Sequence, residues 1–307
     1  HGFEHFQISS TRAFETIFKI RYQIIGSPKI SIVIANKDHK QDLKRCVDSI
    51  LEKSTYENYE IIIVENNSTG EEIFDYYKEL ESQPKVRVVT YQPEEGETFN
   101  YSRVNNYGVS FAQGEYILLL NNDTQVITVN WMEELLMYAQ REDVAAVGAK
   151  LYYGNKTIQH AGVVLGLGAH RTAGHSHYGQ HRENLGYMGR LCYAQNVSAV
   201  TGACLLVKKS LYEEVGGLSE DFAISLNDVD FCLKLRQKGY LNVFTPFAEL
   251  YHFESISRGL DNQGEKAERY NMESEHFRSK WKEVLEKGDP YYNPNFSLDR
   301  SDFALKI

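Results

Sequence analysis

Short apolar runs alternate along this chain with segments whose apolar residues recur at helical spacing. Uninterrupted runs such as Ile30–Ala35 and Leu118–Leu120 are typical of strands buried on both faces of a sheet. After the first run, Leu43, Val47 and Ile50 mark one face of a helix. Strands that alternate with helices predict βαβ crossovers and a mostly parallel sheet flanked by helices. The predicted fold class is therefore α/β.

The rest of the chain divides into three expected regions. Further strands are expected at Glu60–Val64, Val86–Tyr91, Ala145–Tyr153 and Asn242–Pro246, and further helices at Ile73–Leu80, Ser102–Ala112, Trp131–Tyr138 and about 265–285. A helix toward Arg12–Ile25 is expected to stop at Gly26-Ser27-Pro28, which is a natural domain border. We therefore expect an N-terminal helical linker over residues 1–27, an α/β domain over 28–260, and a C-terminal helical extension and tail over 261–307.

Polar side chains follow the predicted strands where their carboxyl ends meet. Tyr116–Leu120 ends in Asn121-Asn122-Asp123, and two earlier strands end beside Asp38 and Glu65. Open α/β sheets bind ligands at this edge, and an Asp beside amide oxygens suits a hard divalent cation that also holds a phosphate. The alternative is an ordinary Asn/Asp turn, with side chains that cap the following helices.

The segment Gly166–Arg190 is rich in Gly, His, Tyr and Arg and shows little periodicity. It predicts a long loop, and long loops inside compact domains are often functional or mobile. Because the segment has few apolar residues to bury, we hypothesise a lid that closes over a bound ligand. Its histidines are too irregularly spaced to favour a dedicated zinc site.

The composition is that of a soluble globular protein with a net charge of −9. This charge argues against a surface that coats nucleic acid. No apolar run in the sequence approaches the roughly 20 residues that a membrane-spanning helix needs. The four cysteines are widely spaced, with no Cys-x-x-Cys pair, so small buried hydrophobes are favoured over disulfides or zinc ligands. We expect a cytoplasmic protein, either free or peripheral to the inner face of the membrane.

Six motifs occur in order between about residues 28 and 260. They are Ser31-Ile32-Val33-Ile34-Ala35-Asn36-Lys37-Asp38, Val64-Glu65-Asn66-Asn67-Ser68-Thr69, Gly114-Glu115-Tyr116 running into Asn121-Asn122-Asp123, Thr201-Gly202-Ala203, Leu226-Asn227-Asp228-Val229-Asp230-Phe231, and Leu250-Tyr251-His252 with Glu254-Ser255. With these motifs the chain resembles the family 2 glycosyltransferases of the GT-A fold, the bacterial polysaccharide-type inverting enzymes. Any one motif alone would be weak, but the ordered set is specific.

The resemblance implies a GT-A fold, which is Rossmann-like, and a metal-dependent inverting hexosyltransferase. Such an enzyme moves a sugar from a nucleotide-diphosphate donor, with a UDP-sugar favoured and a dTDP-sugar second, to a hydroxyl of a glycan or glycoprotein acceptor. It also implies Mn²⁺ or Mg²⁺ as cofactor, and a role in bacterial surface polysaccharide synthesis or protein glycosylation. We further expect the chain to be part of a larger multidomain glycosyltransferase.

The same resemblance assigns residues to each role. Asp228 matches the general base, and Asp123 with His252 matches the metal ligands. Polar groups at the strand ends and the start of the third helix match the positions that bind the nucleotide and its sugar: Ala35, Lys37, Asp38, Glu65, Asn66, Asn100, Ser102 and Asn122. Ser257 and Arg258 are expected to contact the diphosphate, because Arg matches phosphate geometry bidentately.

Two positions depart from the family pattern, because Asn121 and Asn227 stand where acidic residues are usual. One anionic ligand in the metal motif predicts weak metal binding until the donor phosphates complete the shell. Asp230 is expected to be a structural or substrate-orienting group, or a favourable charge at a helix N-terminus. The alternatives to these functional roles are structural: the whole Asp228 segment would be the acidic cap of a helix, and His252 would be a core histidine.

Two other functions remain as alternatives from the sequence. A sugar-phosphate nucleotidylyltransferase would need a Gly-rich, basic loop after the first strand, and Ala35–His39 lacks one. A non-catalytic sugar-binding module with the same fold is supported by the amide at Asn121. Hydrolysis of UDP- and dTDP-sugars would separate these alternatives from a transferase.

Overall fold

The computed structural model describes residues 5–11, 13–253 and 264–306 of the chain. Its strands are β1 (Phe6–Ser10), β2 (Phe18–Tyr22), β3 (Ile30–Asn36), β4 (Tyr59–Asn66), β5 (Val86–Tyr91), β6 (Tyr116–Leu120), β7 (Thr124–Val126), β8 (Val144–Tyr152), β9 (Ile158–His160), β10 (Val163–Leu165), β11 (Ala173–His175), β12 (Gln195–Val197), β13 (Cys204–Lys208) and β14 (Leu241–His252). Its helices are α1 (Lys40–Lys53), α2 (Glu71–Glu81), α3 (Tyr101–Ser110), α4 (Trp131–Ala139), α5 (Lys209–Glu214), α6 (Asn227–Gln237), α7 (Gly264–Lys280) and α8 (Lys282–Lys287), with a 3₁₀ turn at Tyr187–Gly189.

A ten-stranded sheet forms the centre of the described molecule. Its order is β12-β14-β8-β13-β6-β3-β4-β5, with β7 beside β14 and β9 beside β8. Strands β6, β3, β4 and β5 are parallel neighbours, whereas β13 runs antiparallel between β6 and β8. The predicted α/β class, with a mostly parallel central sheet flanked by helices, is confirmed.

Helices cover both faces of this sheet, which explains the uninterrupted apolar runs of its central strands. One core cluster joins the sheet to α1, α2 and α4, and a second joins it to α3, α5, α6 and α7. Helix α3 lies so close to the sheet at Gly108 that a Cβ there would come within 2.5 Å of Val64 and 2.6 Å of Val33. A side chain at this position would push the helix off the strands.

The prediction of a helix toward Arg12–Ile25 is wrong. This region contains β2, which pairs with β1 in an antiparallel hairpin that places Ile8 opposite Ile20. The apolar residues Phe18, Ile20 and Tyr22 are spaced by two, which is the period of a strand and not of a helix. Lys19 of the hairpin forms a 2.7 Å ion pair with the buried Glu134 of α4, so the hairpin is attached to the α/β core.

The expectation that Gly166–Arg190 buries little surface is also wrong for its central part. Strand β11 lies in this segment and pairs with β10, with His175 opposite Val163. Thr172, Ser176 and His177 are each at most 4% exposed. Their partners are distant in the chain, since the His177 amide donates to the Ser301 carbonyl at 2.6 Å.

The C-terminal residues, which were expected to form a helical extension and tail, pack against the core of the described molecule. The expected helix over about 265–285 is divided into α7 and α8. Phe277 and Trp281, at 0% and 3% exposure, belong to the second core cluster. The expected border between 260 and 261 lies outside the described residues. Within the described ranges, no helix is both long and apolar enough to cross a bilayer.

Candidate active site

A cavity of about 270 Å³ opens where the carboxyl end of β6 meets the end of β14 and the start of α6. Strand pairing brings these parts together, because Cys204 of β13 lies opposite Leu120 and Thr124 of β7 lies opposite His252. The residues that line the cavity include Tyr101, Asn121, His175, Gly202, Asp228 and His252.

Asp228 lies in the first turn of α6 and its carboxylate is held by two backbone amides. Its Oδ2 accepts a hydrogen bond from the Gly202 N–H at 2.8 Å, and its Oδ1 accepts one from the Val229 N–H at 2.8 Å. The side chain is partly exposed and lines the cavity. A carboxylate oriented in this way can accept a proton from a group that enters the cavity.

The turn before Asp228 is strained and is anchored from outside the motif. Leu226 adopts a left-handed conformation with φ of 62°, which is rare for a residue with a branched side chain. Glu273 of α7, only 6% exposed, accepts hydrogen bonds from the backbone amides of Ile224 at 3.0 Å and Ser225 at 2.9 Å. The carboxylate of Glu273 therefore fixes the backbone of the turn before Asp228.

The contacts of Asp230 indicate a structural role, which is one of the roles expected from the sequence. The residue is fully buried, and its carboxylate accepts hydrogen bonds from the Ser219 hydroxyl at 2.5 Å and the Trp281 indole at 2.9 Å. Lys280 completes the set with an ammonium 2.7 Å away. Asp230 thus joins α6 to the C-terminal helices and does not line the cavity.

Asp123 and His252, the two predicted metal ligands, are adjacent. Asp123 Oδ1 lies 3.2 Å from His252 Nε2, and the two residues are 9% and 3% exposed. The Asn121 amide nitrogen also lies 3.1 Å from that ring nitrogen. When Nε2 carries no proton it has one lone pair, so a divalent cation beside Asp123 Oδ1 would take this lone pair in place of the hydrogen bond from Asn121.

The side chains of Asp123 and His252 fit a metal site whose coordination shell is completed by the substrate. Among the described residues no group of three His, Cys, Asp or Glu side chains could hold a metal. One carboxylate and one imidazole suit Mn²⁺, and Mg²⁺ sites commonly use one or two carboxylates together with substrate phosphates. Any metal here would therefore depend on oxygens from the donor, as Asn121 led us to expect.

The other predicted donor-binding residues lie around the ends of β3 and β4. Asn122 donates to the Asn36 amide oxygen at 2.6 Å, and Asn36 donates to the Tyr77 hydroxyl at 2.8 Å. Tyr77 in turn donates to the Glu65 carboxylate at 2.6 Å. Asn66 is 6% exposed at the end of β4, Ala35 is half-buried in β3, and Lys37 is exposed in the loop that follows.

Asp38 and Glu65 hold the two strand-end loops together. Asp38 Oδ1 accepts hydrogen bonds from the backbone amides of Thr69 at 2.7 Å and Gly70 at 2.9 Å. These bonds, that from Gly70 first, lower the pKa of Asp38 from its ordinary value. Glu65 accepts a 2.5 Å hydrogen bond from the Ser68 amide. Both carboxylates therefore form hydrogen bonds with backbone amides of the loop between β4 and α2.

Asn100 and Ser102, two of the residues predicted to bind the donor, form hydrogen bonds within the protein. Asn100 accepts from the Arg103 amide at 3.0 Å as the N-cap of α3, and its amide group donates to the Glu220 carbonyl at 2.8 Å. Ser102 is fully buried and donates to the Phe222 carbonyl at 2.7 Å. Both side chains fasten α3 to the segment before α6. Ser257 and Arg258, predicted to contact the diphosphate, lie outside the described residues.

Several residues that line the cavity are not among the site residues predicted from the sequence. Tyr101, between Asn100 and Ser102, donates to the Asn121 amide oxygen at 3.2 Å and lines the cavity. Gln159, His175 and Tyr270 line it from elements distant in the chain. The polar composition of Gly166–Arg190 was the one signal that pointed to His175.

A family model described as "Glycosyl transferase family 2" matches residues 31–216 of the chain. The chain belongs to glycosyl transferase family 2. Among its family 2 relatives, the O-antigen biosynthesis protein RfbC of Myxococcus xanthus is 35% identical over 94% of the chain. An uncharacterized protein of Sinorhizobium fredii is 43% identical over 94% of the chain. The chain spans only 22% and 31% of these two relatives, respectively.

Solved structures show the same GT-A fold. The mannosyltransferase PcManGT from Pyrobaculum calidifontis, in complex with GDP-Man and Mn²⁺, has a TM-score of 0.60 at 14% identity and covers 86% of this chain and 70% of its own. GalNAc-T7 with UDP, GalNAc and Mn²⁺ has a TM-score of 0.65 at 15% identity and covers 87% of this chain and 51% of its own. The family 2 chain therefore has the fold that its motifs led us to expect.

Proposed function

We infer that this family 2 chain is a metal-dependent, inverting glycosyltransferase that uses a nucleotide-diphosphate sugar, with a UDP-sugar favoured over a dTDP-sugar. One observation carries this inference. Asp228, an oriented and partly exposed carboxylate, lines the same cavity as His252, which lies 3.2 Å from Asp123. A base and a pair of metal-binding groups around one cavity are what direct sugar displacement requires.

The transfer would proceed in a single displacement at the anomeric carbon. As the acceptor oxygen forms a bond to this carbon, the bond from the carbon to the donor diphosphate breaks and the configuration inverts. Asp228 accepts the proton that the acceptor hydroxyl loses. A Mn²⁺ or Mg²⁺ ion held by Asp123 and His252 would neutralise charge on the departing diphosphate.

The nucleotide is proposed to lie at the carboxyl ends of β3 and β4. The linked amide and carboxylate groups of Asn122, Asn36 and Glu65 form a polar rim there. This rim is the usual ligand edge of an open α/β sheet. The proposed acceptor is a glycan hydroxyl in bacterial surface polysaccharide synthesis, which the name of the Myxococcus relative supports; a glycoprotein acceptor is second.

The whole polypeptide is proposed to be longer and to contain further domains. The relatives with the highest coverage of this chain are several times its length, because it spans 31% or less of each. We propose that this domain works on the cytoplasmic side, where nucleotide sugars are made.

A donor screen tests the proposed function directly. The protein would be incubated with UDP-, dTDP- and GDP-sugars, with Mn²⁺ and then with EDTA, and release of free nucleotide diphosphate would be measured. We expect release with at least one UDP-sugar, dependent on Mn²⁺ and lost in Asp228→Asn when a hydroxyl acceptor is supplied. Absence of both binding and release for every donor would refute the proposal.

A further inference from the structure

The apolar face of the β1–β2 hairpin is exposed to solvent. Pairing places Ile8 opposite Ile20, and side chains two residues apart along a strand lie on the same face. The face therefore carries Phe6, Ile8, Phe18 and Ile20, which are 53%, 57%, 55% and 37% exposed, respectively. Large apolar side chains that form one exposed patch mark an interaction site.

The opposite face of the hairpin is polar and points toward the core. Lys19 and Arg21 alternate with the apolar residues and lie 2.7 and 3.1 Å from a carboxylate oxygen of the buried Glu134 of α4. At the base of the hairpin, the ring of Tyr22 packs on Tyr138 of the same helix. An antiparallel sheet with one solvated face normally turns its apolar side to the core. The arrangement here is reversed, and a two-stranded hairpin is at best marginally stable without further packing.

A groove of about 690 Å³ lies beside this face, between the hairpin and α4. Phe6 belongs to both the groove and the apolar face, so one partner surface can cover both. The other walls of the groove include Gln7 and Arg21 of the hairpin, and Glu133 and Met137 of α4. A mixed apolar and charged surface is typical of contacts between domains of one chain, which are more polar than permanent subunit interfaces.

The groove and the cavity that contains Asp228 lie at opposite ends of the sheet. Glu133 accepts a 2.7 Å hydrogen bond from the hydroxyl of Thr55, which lies in the connection that enters β4 at its amino end. The cavity opens at the carboxyl end of β6, and β6 and β4 are both parallel to β3. A partner on the hairpin would therefore leave the cavity open to substrates.

The hairpin lies outside the part of the chain that the family model matches, which begins at residue 31. The two long relatives each align over 94% of this chain. The remaining 6% is shorter than the first 22 residues, so at least part of the hairpin sequence is included in both alignments. These relatives are several times longer than this chain, which spans 31% and 22% of them. The hairpin is therefore an addition to the family core that occurs in long polypeptides.

The size of the apolar face favours a tethered partner over a free one. Five residues per strand at about 3.3 Å each, and two strands about 4.8 Å apart, give a face of roughly 17 by 10 Å. A stable complex between separate proteins buries about 800 Å² on each partner, which is several times this face. Two domains joined by a short linker meet at an effective concentration in the millimolar range, so a small apolar contact holds them together.

We propose that the apolar face of the β1–β2 hairpin, together with the groove beside Phe6, is the docking surface for another domain of the same polypeptide. The matching surface of that domain carries exposed aliphatic or aromatic side chains for the hairpin and polar or charged ones for the groove. The proposal rests on the proposed length of the whole polypeptide and is independent of the transferase chemistry.

Photo-crosslinking in the whole polypeptide tests this docking. p-Benzoylphenylalanine is placed at Ile8 on the apolar face or, as the matched control, at Ser9, which is exposed on the opposite face of the same strand. The probe at Ile8 should form crosslinks within one polypeptide to peptides from beyond this chain, at several times the yield of the probe at Ser9. Crosslinks between two copies, crosslinks to lipid, or the absence of crosslinks beyond this chain would each overturn the proposal.

Hydrogen exchange gives a second measurement that needs no activity. The amides of β1 should exchange more slowly in the whole polypeptide than in this chain alone, and Ile8→Asp should remove that protection while Ser9→Asp retains it. Equal exchange in the two proteins would refute the docking. A whole polypeptide without a further domain would also refute it, and the donor screen would still decide the proposed transferase function.

Discussion

Asp228 and Asp230 are two residues apart, yet their side chains have opposite surroundings. On a helix, residues at this spacing point to different faces. Asp228 faces the cavity and is held by backbone amides, whereas Asp230 is fully buried against Ser219 and Lys280. One acid is therefore available to a substrate hydroxyl, and the other holds the helix in place.

Substitution of Asp228 by Asn should keep donor binding and abolish transfer. The amide retains the shape of the carboxylate but does not accept a proton, and loss of a general base typically costs about 10²- to 10⁴-fold in rate. Turnover and UDP affinity would be measured side by side, with exposed Asp221→Asn as control in the segment before α6. Wild-type turnover in Asp228→Asn would place the base elsewhere.

Asp230→Asn should reduce stability with little effect on chemistry. The substitution removes the buried carboxylate that lies 2.7 Å from the ammonium of Lys280, and breaking a fully buried pair typically costs about 3–5 kcal/mol. Because Lys280 is about one-third exposed, water will reduce this cost. Chemical denaturation should show the loss, while kcat of the folded fraction stays within a few-fold. A large fall in kcat at unchanged stability would contradict this assignment.

UDP binding should depend on metal through Asp123 and His252. Their converging oxygen and nitrogen atoms, 3.2 Å apart, provide too few ligands to hold a cation without the donor phosphates. Calorimetry should therefore detect tight UDP binding with Mn²⁺ and weak binding with EDTA, and Asp123→Asn should remove the difference. Equal affinity in both conditions would end the metal assignment.

At the scale of elements, the central strands could be predicted from the sequence. The contacts between residues distant in the sequence that hold them and the site could not. The strands β3, β4 and β6 carry continuous apolar runs because helices cover both faces of the sheet. The N-terminal hairpin was missed although the alternation of Phe18, Ile20 and Tyr22 with polar residues has the period of a strand. The motif positions Asp228, Asp123 and His252 were found, but Glu273 lies in a helix whose charged sequence is typical of a solvated surface. Its role depends on a contact with residues 48 and 49 positions earlier.

The anchoring of the turn before Asp228 by α7 can be tested at Glu273. Glu273→Ala leaves the partly buried amides of Ile224 and Ser225 without this acceptor, so the turn before Asp228 should shift. A misplacement of about 1 Å can reduce turnover roughly 10²-fold. We expect kcat to fall with UDP affinity unchanged, whereas exposed Glu275→Ala should behave like the wild type. Unchanged kcat in Glu273→Ala would show that the turn holds its own conformation.

The β10–β11 hairpin should behave as a fixed wall of the cavity. Its backbone is paired and residues such as Ser176 and His177 are buried, so opening it requires more than a loop motion. Hydrogen exchange should show protected amides at 173–177 in the free protein. Rapid exchange there that slows on adding UDP and Mn²⁺ would restore the lid hypothesis for this part of the segment.

At the scale of the whole molecule, the C-terminal tail packs against the region of the β10–β11 hairpin. Phe303 stacks on His177 with ring centroids 4.9 Å apart, and it packs with Tyr292 and Phe296 against the hairpin region. Arg171 and Asp299 form an ion pair across the same contact. The tail therefore helps to hold the strand that carries His175.

This arrangement makes stability sensitive to acid. Burial, followed by the charges of Arg190 and Lys150, lowers the pKa of His177 to about 4 from its ordinary value of 6.5. Below pH 6.5 the unfolded chain gains a proton at this residue and the folded chain does not, so stability falls as the pH drops toward 4. The loss amounts to about 3 kcal/mol at most.

Urea unfolding at pH 7.5, 6 and 5 would measure this dependence. His177→Gln should unfold with a weaker dependence on pH, while His181→Gln, altered at an exposed position, should keep the wild-type slope. Identical slopes in His177→Gln and wild type would show that other groups are responsible.

The attachment of the turn before Asp228 to α7 has a consequence for biosynthesis. Among the described residues, every strand of the central sheet is synthesised before Glu273, Lys280 and Trp281, and these residues hold the turn before Asp228 and the helix that carries it. A nascent chain that has completed its sheet can therefore present a nucleotide-binding edge while its base is still unplaced. Sugar transfer would begin only when α7 emerges, so a tethered, unfinished chain would not glycosylate acceptors prematurely.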